Sequence, residues 1–189
     1  MHFSKIASLV ASMAALAQAF GGGNTVTFQS LDEVDRTIYF TPNAGLAWLP
    51  SVELPAGANV PVDIPHGWIG NFFGVVKGQP QVPGMLGEVA FNGWNDLVYY
   101  DVSAIVNPAD IDNISELYPE DDPNKPVSGC RNWPCDNAYW LPHDVQTKVT
   151  TQNRLVCTLG KNGVAAKRDE PDYDTESLPH DFVFGKYKH

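Results

Sequence analysis

Cysteine is scarce in this chain. Its 189 residues include three, Cys130, Cys135 and Cys157. That excludes a small disulfide-stapled scaffold and leaves one bridge at most, with one thiol over. The expected bridge joins the Cys130/Cys135 region to Cys157, and spacing alone does not choose between the two. A zinc site is disfavoured, because these cysteines lack a fourth ligand nearby. His66 and His143 stand in neither metal-ligand nor triad spacing, so no cofactor and no metal is expected.

Positive charge is also short. Lys and Arg total 12 against 22 Asp and Glu, giving a formal charge of −10. Such a balance disfavours nucleic acid and anionic lipid, and suits a neutral polysaccharide or a basic partner. Long apolar runs are missing beyond the N-terminus, so no membrane span is expected. Long helical periodicity, internal repeats, a phosphate loop, a nucleotide motif and a Ser-His-Asp signature are missing too.

What is present begins with MHFSKIASLVASMAALAQAF. Lys5, the apolar stretch 6–16 and Ala17-Gln18-Ala19 read as a secretory signal peptide cleaved after Ala19. Residues 20–160 are expected to form one β-rich domain: 15 Pro and 16 Gly accompany abundant Val, Phe and Tyr. The acidic stretch 161–189 reads as a disordered tail. Its dibasic Lys167-Arg168 offers a processing site at Arg168, and six acids against two lysines follow it. A monomer is expected.

Alternation predicts strands at Asn24–Ser30, 36–41, Asn59–Ile64, 70–76 and Arg154–Leu159. Pro61 marks the third of these as an edge strand. Residues 31–35 read as a hairpin loop, and 121–131 as a polar loop. The stretch 108–117, with early acids and Pro119 beyond it, predicts a helix. Pro142-His143-Asp144 reads as a turn entering a short helical stretch capped by Asp144. Many short strands argue for a β-sandwich with short helical loop insertions. The sequon Asn113-Ile114-Ser115 makes Asn113 a glycosylation candidate.

Residues 85–107 carry the strongest signal. Two alternating runs, 86–91 and 97–102, flank the turn-rich Asn92-Gly93-Trp94-Asn95-Asp96. A hairpin symmetric about the Trp94/Asn95 bond places Val89 across from Tyr100 and Phe91 across from Val98. Val102 completes that apolar face. The other face sets Glu88 against Asp101 and Ala90 against Tyr99. Like charges directly opposed across two strands destabilise a sheet, so this pair calls for a compensating function.

The residues Gly87-Glu88-Val89-Ala90-Phe91-Asn92 and Leu97-Val98-Tyr99-Tyr100-Asp101-Val102-Ser103 resemble the central hairpin of thaumatin-like proteins, the small fungal extracellular members above all. The resemblance extends over 23–160, with 86–103 its specific part. It implies a thaumatin-like β-sandwich whose acidic cleft binds β-1,3-glucan and, in some members, slowly hydrolyses it. The positions carried over are Glu88 and Asp101. Departures accompany them: Val106 stands where the family keeps an Asp, Asn71 and Val75 where it has Arg, and Val98 in place of another Asp.

Two carboxylates are what a glycosidase requires, one protonated and one ionised. Without the Arg residues and the third acid, binding is the stronger expectation for Glu88 and Asp101. Trp94, at the hairpin tip, and Tyr99, beside the acids, are the aromatics best placed to stack on a sugar. The expected protein is therefore secreted, sits at a fungal wall or cell surface and binds β-glucan or another wall component. The resemblance implies roles in wall remodelling or spore germination. The alternatives are a surface adhesin that binds host or matrix proteins, and a weak endo-β-1,3-glucanase.

Overall fold

The computed structural model describes residues 23–122 and 126–161. The signal peptide with Ala19 and the tail with Arg168 lie outside the described residues.

Eleven strands follow one another: β1 (Asn24–Ser30), β2 (Arg36–Pro42), β3 (Val52–Leu54), β4 (Asn59–Ile64), β5 (Ile69–Val76), β6 (Leu86–Ala90), β7 (Val98–Ser103), β8 (Ile114–Pro119), β9 (Ser128–Gly129), β10 (Lys148–Thr150) and β11 (Arg154–Leu159). They form a five-stranded sheet, β4-β1-β11-β8-β9, and a six-stranded sheet, β10-β7-β6-β5-β2-β3. The expected all-β sandwich is therefore present. Its helical content among the described residues is one 3-10 turn, Trp94–Asp96.

Strand alternation builds the core between the sheets. Val26 and Phe28 of β1, and Leu155, Cys157 and Leu159 of β11, face Ile38 and Phe40 of β2, Phe72 of β5 and Val89 of β6. Phe28 meets Phe72 edge to face at 5.0 Å and Phe40 at 5.9 Å, a favoured aromatic geometry. Gly87 is required where it stands: it pairs with Phe72, and a Cβ at 87 would enter that ring. Pro61 sits in β4 at the sheet edge, as expected of a residue with no N–H to donate.

Four expectations are corrected. Residues 108–117 hold no helix; turns lead into β8, which pairs with β11. The acids that suggested a helix start have tertiary partners instead. Asp110 accepts from the Met85 amide at 2.9 Å, and the Asp112 carbonyl accepts from Arg36 at 2.8 Å.

Residues 31–35 do not close a hairpin. They carry the chain from the five-stranded to the six-stranded sheet. Asp32 within them forms a two-pronged pair with the buried Arg36, both bonds 2.7 Å.

The disulfide joins Cys130 to Cys135, not either of them to Cys157. Cys157 points into the core from β11 and is a buried free thiol, whereas Cys130 and Cys135 flank one short loop.

No helix follows Pro142. The Asp144 carboxylate reaches back to accept from the Trp140 and Leu141 amides, each at 2.9 Å.

Candidate functional site

The expected hairpin forms with the expected register. Glu88 pairs with Asp101, Val89 with Tyr100 and Ala90 with Tyr99. Its tip is shaped by Asn92, Asn95 and Asp96, all with positive φ, a conformation Asn and Asp tolerate better than most residues. The Asn92 side chain locks the tip to the neighbouring sheet. Its Oδ1 accepts from Asn24 Nδ2 at 2.8 Å and from the Gly67 amide at 3.2 Å. Its Nδ2 donates to Asp96 Oδ1 at 2.8 Å.

The outer face of the six-stranded sheet is striped. Register aligns Thr41, Asn71, Glu88 and Asp101 in one polar row across four strands. Thr147, just before β10, extends the row by donating to Asp101 Oδ2 at 3.1 Å. Tyr139 supports Thr147 in turn, hydroxyl to hydroxyl at 2.9 Å. On one side runs an apolar row of Ile69, Ala90, Tyr99 and Val149. On the other run Tyr39, Phe73 and Leu86, then Ser103. Phe73 and Leu86 form a small buried cluster with Val75.

Over the polar row and the Ile69–Ala90–Tyr99 row beside it lies a cleft of about 420 Å³, lined by Asn71, Glu88, Tyr99, Asp101, Tyr139 and Thr147, with Ile69 and Ile105 on its walls. That volume falls in the range of small-molecule sites. No Lys or Arg lines it.

Asp101 is the unusual group. Only 8% of it is exposed, and its Oδ1 is buried without a hydrogen-bond partner. Burial, and then the Glu88 charge, push its carboxyl up to about 7; the Thr147 hydrogen bond and Lys148 pull in the other direction. A carboxylate forced into low dielectric beside another acid holds its proton. Once protonated, Asp101 hydrogen bonds to Glu88. Below neutrality Asp101 thus keeps its proton beside Glu88. The pair can give and take a proton, accept hydrogen bonds and attract a cation.

The structure brings Glu88, Asp101 and Tyr99 together and leaves Trp94 apart. Trp94 is 76% exposed at the hairpin tip and does not line the cleft. Tyr99 donates to the Trp94 carbonyl at 3.3 Å while its ring packs on Gly93. Trp68 and Phe72 are core residues, and Trp133 packs edge to face on Trp140 at 5.6 Å. Thr147 was not among the expected site residues. Its role depends on β10 pairing with β7, which no local pattern signals.

Asn113 lies in the interior, its Oδ1 accepting from Arg36 Nε at 2.9 Å and its Nδ2 donating to Asp110. The nitrogen a glycan would need is therefore already engaged. Among the described residues no group of three or more His, Cys, Asp and Glu is placed to hold a metal ion. No helix among them is long and apolar enough to cross a membrane.

No family model matches the chain. Among solved structures it resembles the protein elicitor MoHrip2 from Magnaporthe oryzae, with a TM-score of 0.53 and 17% identity over 72% of this chain and 98% of that one. This is a likeness of fold. The thaumatin-like xylanase inhibitor TLXI superposes with a TM-score of 0.46 and 16% identity, over 71% of this chain and 97% of the inhibitor. In sequence, the chain is 52% identical over 136 residues to the antigenic protein SchS21 of Stachybotrys chartarum, covering 72% of this chain and 94% of SchS21. At that identity and coverage, the chain belongs to the family of this fungal antigenic protein.

Proposed function

We propose that this protein is secreted by a fungus and binds a polysaccharide of the cell wall, β-1,3-glucan or another wall polymer, in the cleft around Glu88 and Asp101. The observation that carries the reading is a cleft whose polar row, Asn71, Glu88, Asp101 and Thr147, is walled by Ile69, Tyr99, Ile105 and Tyr139. A pyranose presents hydroxyls at its edge and C–H groups on its faces, so it is matched by acids and amides set between aliphatic and aromatic side chains. The signal-like N-terminus and the relationship to an antigenic fungal protein support an extracellular location. A role in wall remodelling or spore germination follows from the thaumatin-like resemblance.

The test is co-sedimentation of the mature protein with insoluble β-1,3-glucan and with fungal wall fractions. Binding to either, lost in Glu88→Gln and Asp101→Asn variants that keep the wild-type fold, is the expected result. Absence of binding to every wall fraction would overturn the reading and bring protein partners forward.

A second reading, weak endo-β-1,3-glucanase activity, is favoured by one observation: the buried Asp101 carboxyl stands opposite a second carboxyl, Glu88, an environment that holds a proton as a general acid must. Release of reducing ends from laminarin, abolished by Glu88→Gln, would establish it. The adhesin reading draws on Trp94 and Trp48, both strongly exposed outside the cleft.

A further inference from the structure

Resting on the reading that the cleft holds a wall polysaccharide, we infer that its preferred ligand is amine-bearing: a polymer of glucosamine units, as in deacetylated chitin, whose ammonium group sits between Glu88 and Asp101.

Three observations converge on an ammonium. Once ionised, Asp101 Oδ1 is a buried acceptor with no protein donor, and such an atom costs free energy until something donates to it. Glu88 stands directly opposite, so two carboxylates converge on one place. No Lys or Arg lines the cleft to neutralise them. The cation that does act on Asp101, Lys148, pairs with Tyr100 and so lies off the polar row. A neutral sugar hydroxyl supplies a donor but leaves the charge unbalanced, whereas an ammonium supplies both.

The stripes separate a sugar polymer from a bare cation and from a protein lysine. A metal ion would need a third charged ligand, and beside the two acids the row offers only the neutral Thr41, Asn71 and Thr147. A lysine would use the acids and ignore the flanks. The polar row crosses four strands about 4.8 Å apart, so roughly 14 Å of it, and more with Thr147 beyond, is available to a chain running across the sheet. Ile69 and Val149 stay partly exposed alongside it, ready to meet the C–H faces of successive rings.

The dyad holds a proton where the ammonium would sit. The groups acting on that proton are Glu88 from β6, Thr147 and Lys148; Asn43, Asn71 from β5 and the tyrosines supply further polar lining. Below neutrality, ligand entry converts the hydrogen-bonded acid pair to two carboxylates around one ammonium, and one proton leaves to solvent.

The experiment is calorimetric titration of the secreted protein near pH 6 and physiological salt, with a glucosamine tetramer, its N-acetylated counterpart and laminaritetraose. Each is run in buffers of differing ionisation heat. The expected result is that the amine tetramer binds about ten- to a hundredfold more tightly than the acetylated one, as a charge-assisted hydrogen bond implies. It should release a proton on binding. Asp101→Asn, near-isosteric and verified by its melting curve, abolishes the preference, while Asp63→Asn on the exposed face of β4 leaves it intact. Equal binding of the two tetramers, or equal loss in both variants, would overturn the inference, the latter by exposing diffuse attraction to an acidic protein. Binding of laminaritetraose alone would overturn the amine preference and leave the wall-polysaccharide reading standing. Binding of none of the three in the cleft, together with failure to bind wall fractions, would remove both.

Discussion

Glu88 and Asp101 oppose each other across the β6–β7 ladder, and the more buried of the two keeps an oxygen unbonded. Its carboxyl sits well above the ordinary value of 3.8, at about 7. The folded chain therefore binds this proton more tightly than the unfolded chain. Linkage then makes stability fall as pH rises from about 4 through 7, by at most about 4 kcal/mol from this group. Asp101→Asn should flatten that slope and raise the melting temperature at pH 8. Thermal melts of both proteins across pH 4–9 would show it, and a parallel pair of profiles would contradict the assignment.

Arg36 offers the opposite dependence. It is 1% exposed and binds Asp32, Asn113 and two backbone carbonyls. Burial raises the Asp32 carboxyl, but the Arg36 hydrogen bond and charge outweigh it and hold that pKa below 3.8. The contribution of Asp32 is thus present above its unfolded pKa and lost as pH falls through its folded one. Arg36→Met strips Asp32 of its counter-charge and Asn113 Oδ1 of its donor and should cost about 3–5 kcal/mol in urea denaturation. A cost under 1 kcal/mol would show that the network contributes little.

Asn113 should carry no glycan when the chain is expressed through a secretory pathway, because its amide is buried and already bonded. Intact mass before and after enzymatic deglycosylation should be the same at this site. Asn113→Gln, which cannot keep both bonds, should destabilise by about 1–3 kcal/mol.

The thiols should separate cleanly. Burial pushes Cys157 far above the usual thiol range, so native protein should resist alkylation and react once unfolded. Reducing Cys130–Cys135, which closes a loop of only a few residues, should cost about 2 kcal/mol. Rapid labelling of Cys157 under native conditions would place it elsewhere than the core.

Much of the site was legible because it is local. Turn residues at 92–96 and alternation on either side determine one register, and that register opposes Glu88 and Asp101. Thr147 was not legible: its contact with Asp101 spans 46 positions and depends on a three-residue strand. The stretch 108–117 carried a real helical signal in its early acids. Arg36, the Met85 amide and the edge of β11 outbid it, as tertiary contacts commonly do with local propensity. Cysteine spacing was silent on which side of a strand Cys157 faces, and that alone decides the disulfide. Trp94 read as a sugar platform from its place at the tip, yet the cleft opens along the strands behind it.

The first and last described strands, β1 and β11, lie side by side and parallel, with Thr25 beside Arg154 and Ser30 beside Leu159. A growing chain therefore makes its first strand at once but meets that strand's partner only at the end of the domain's synthesis. Until then β1 has β4 alone beside it, and Phe28 lacks half its surroundings. Such long-range pairing folds slowly and late. The sandwich can close only once its last strand has been made, so a chain cut short before residue 154 leaves β1 without its inner neighbour.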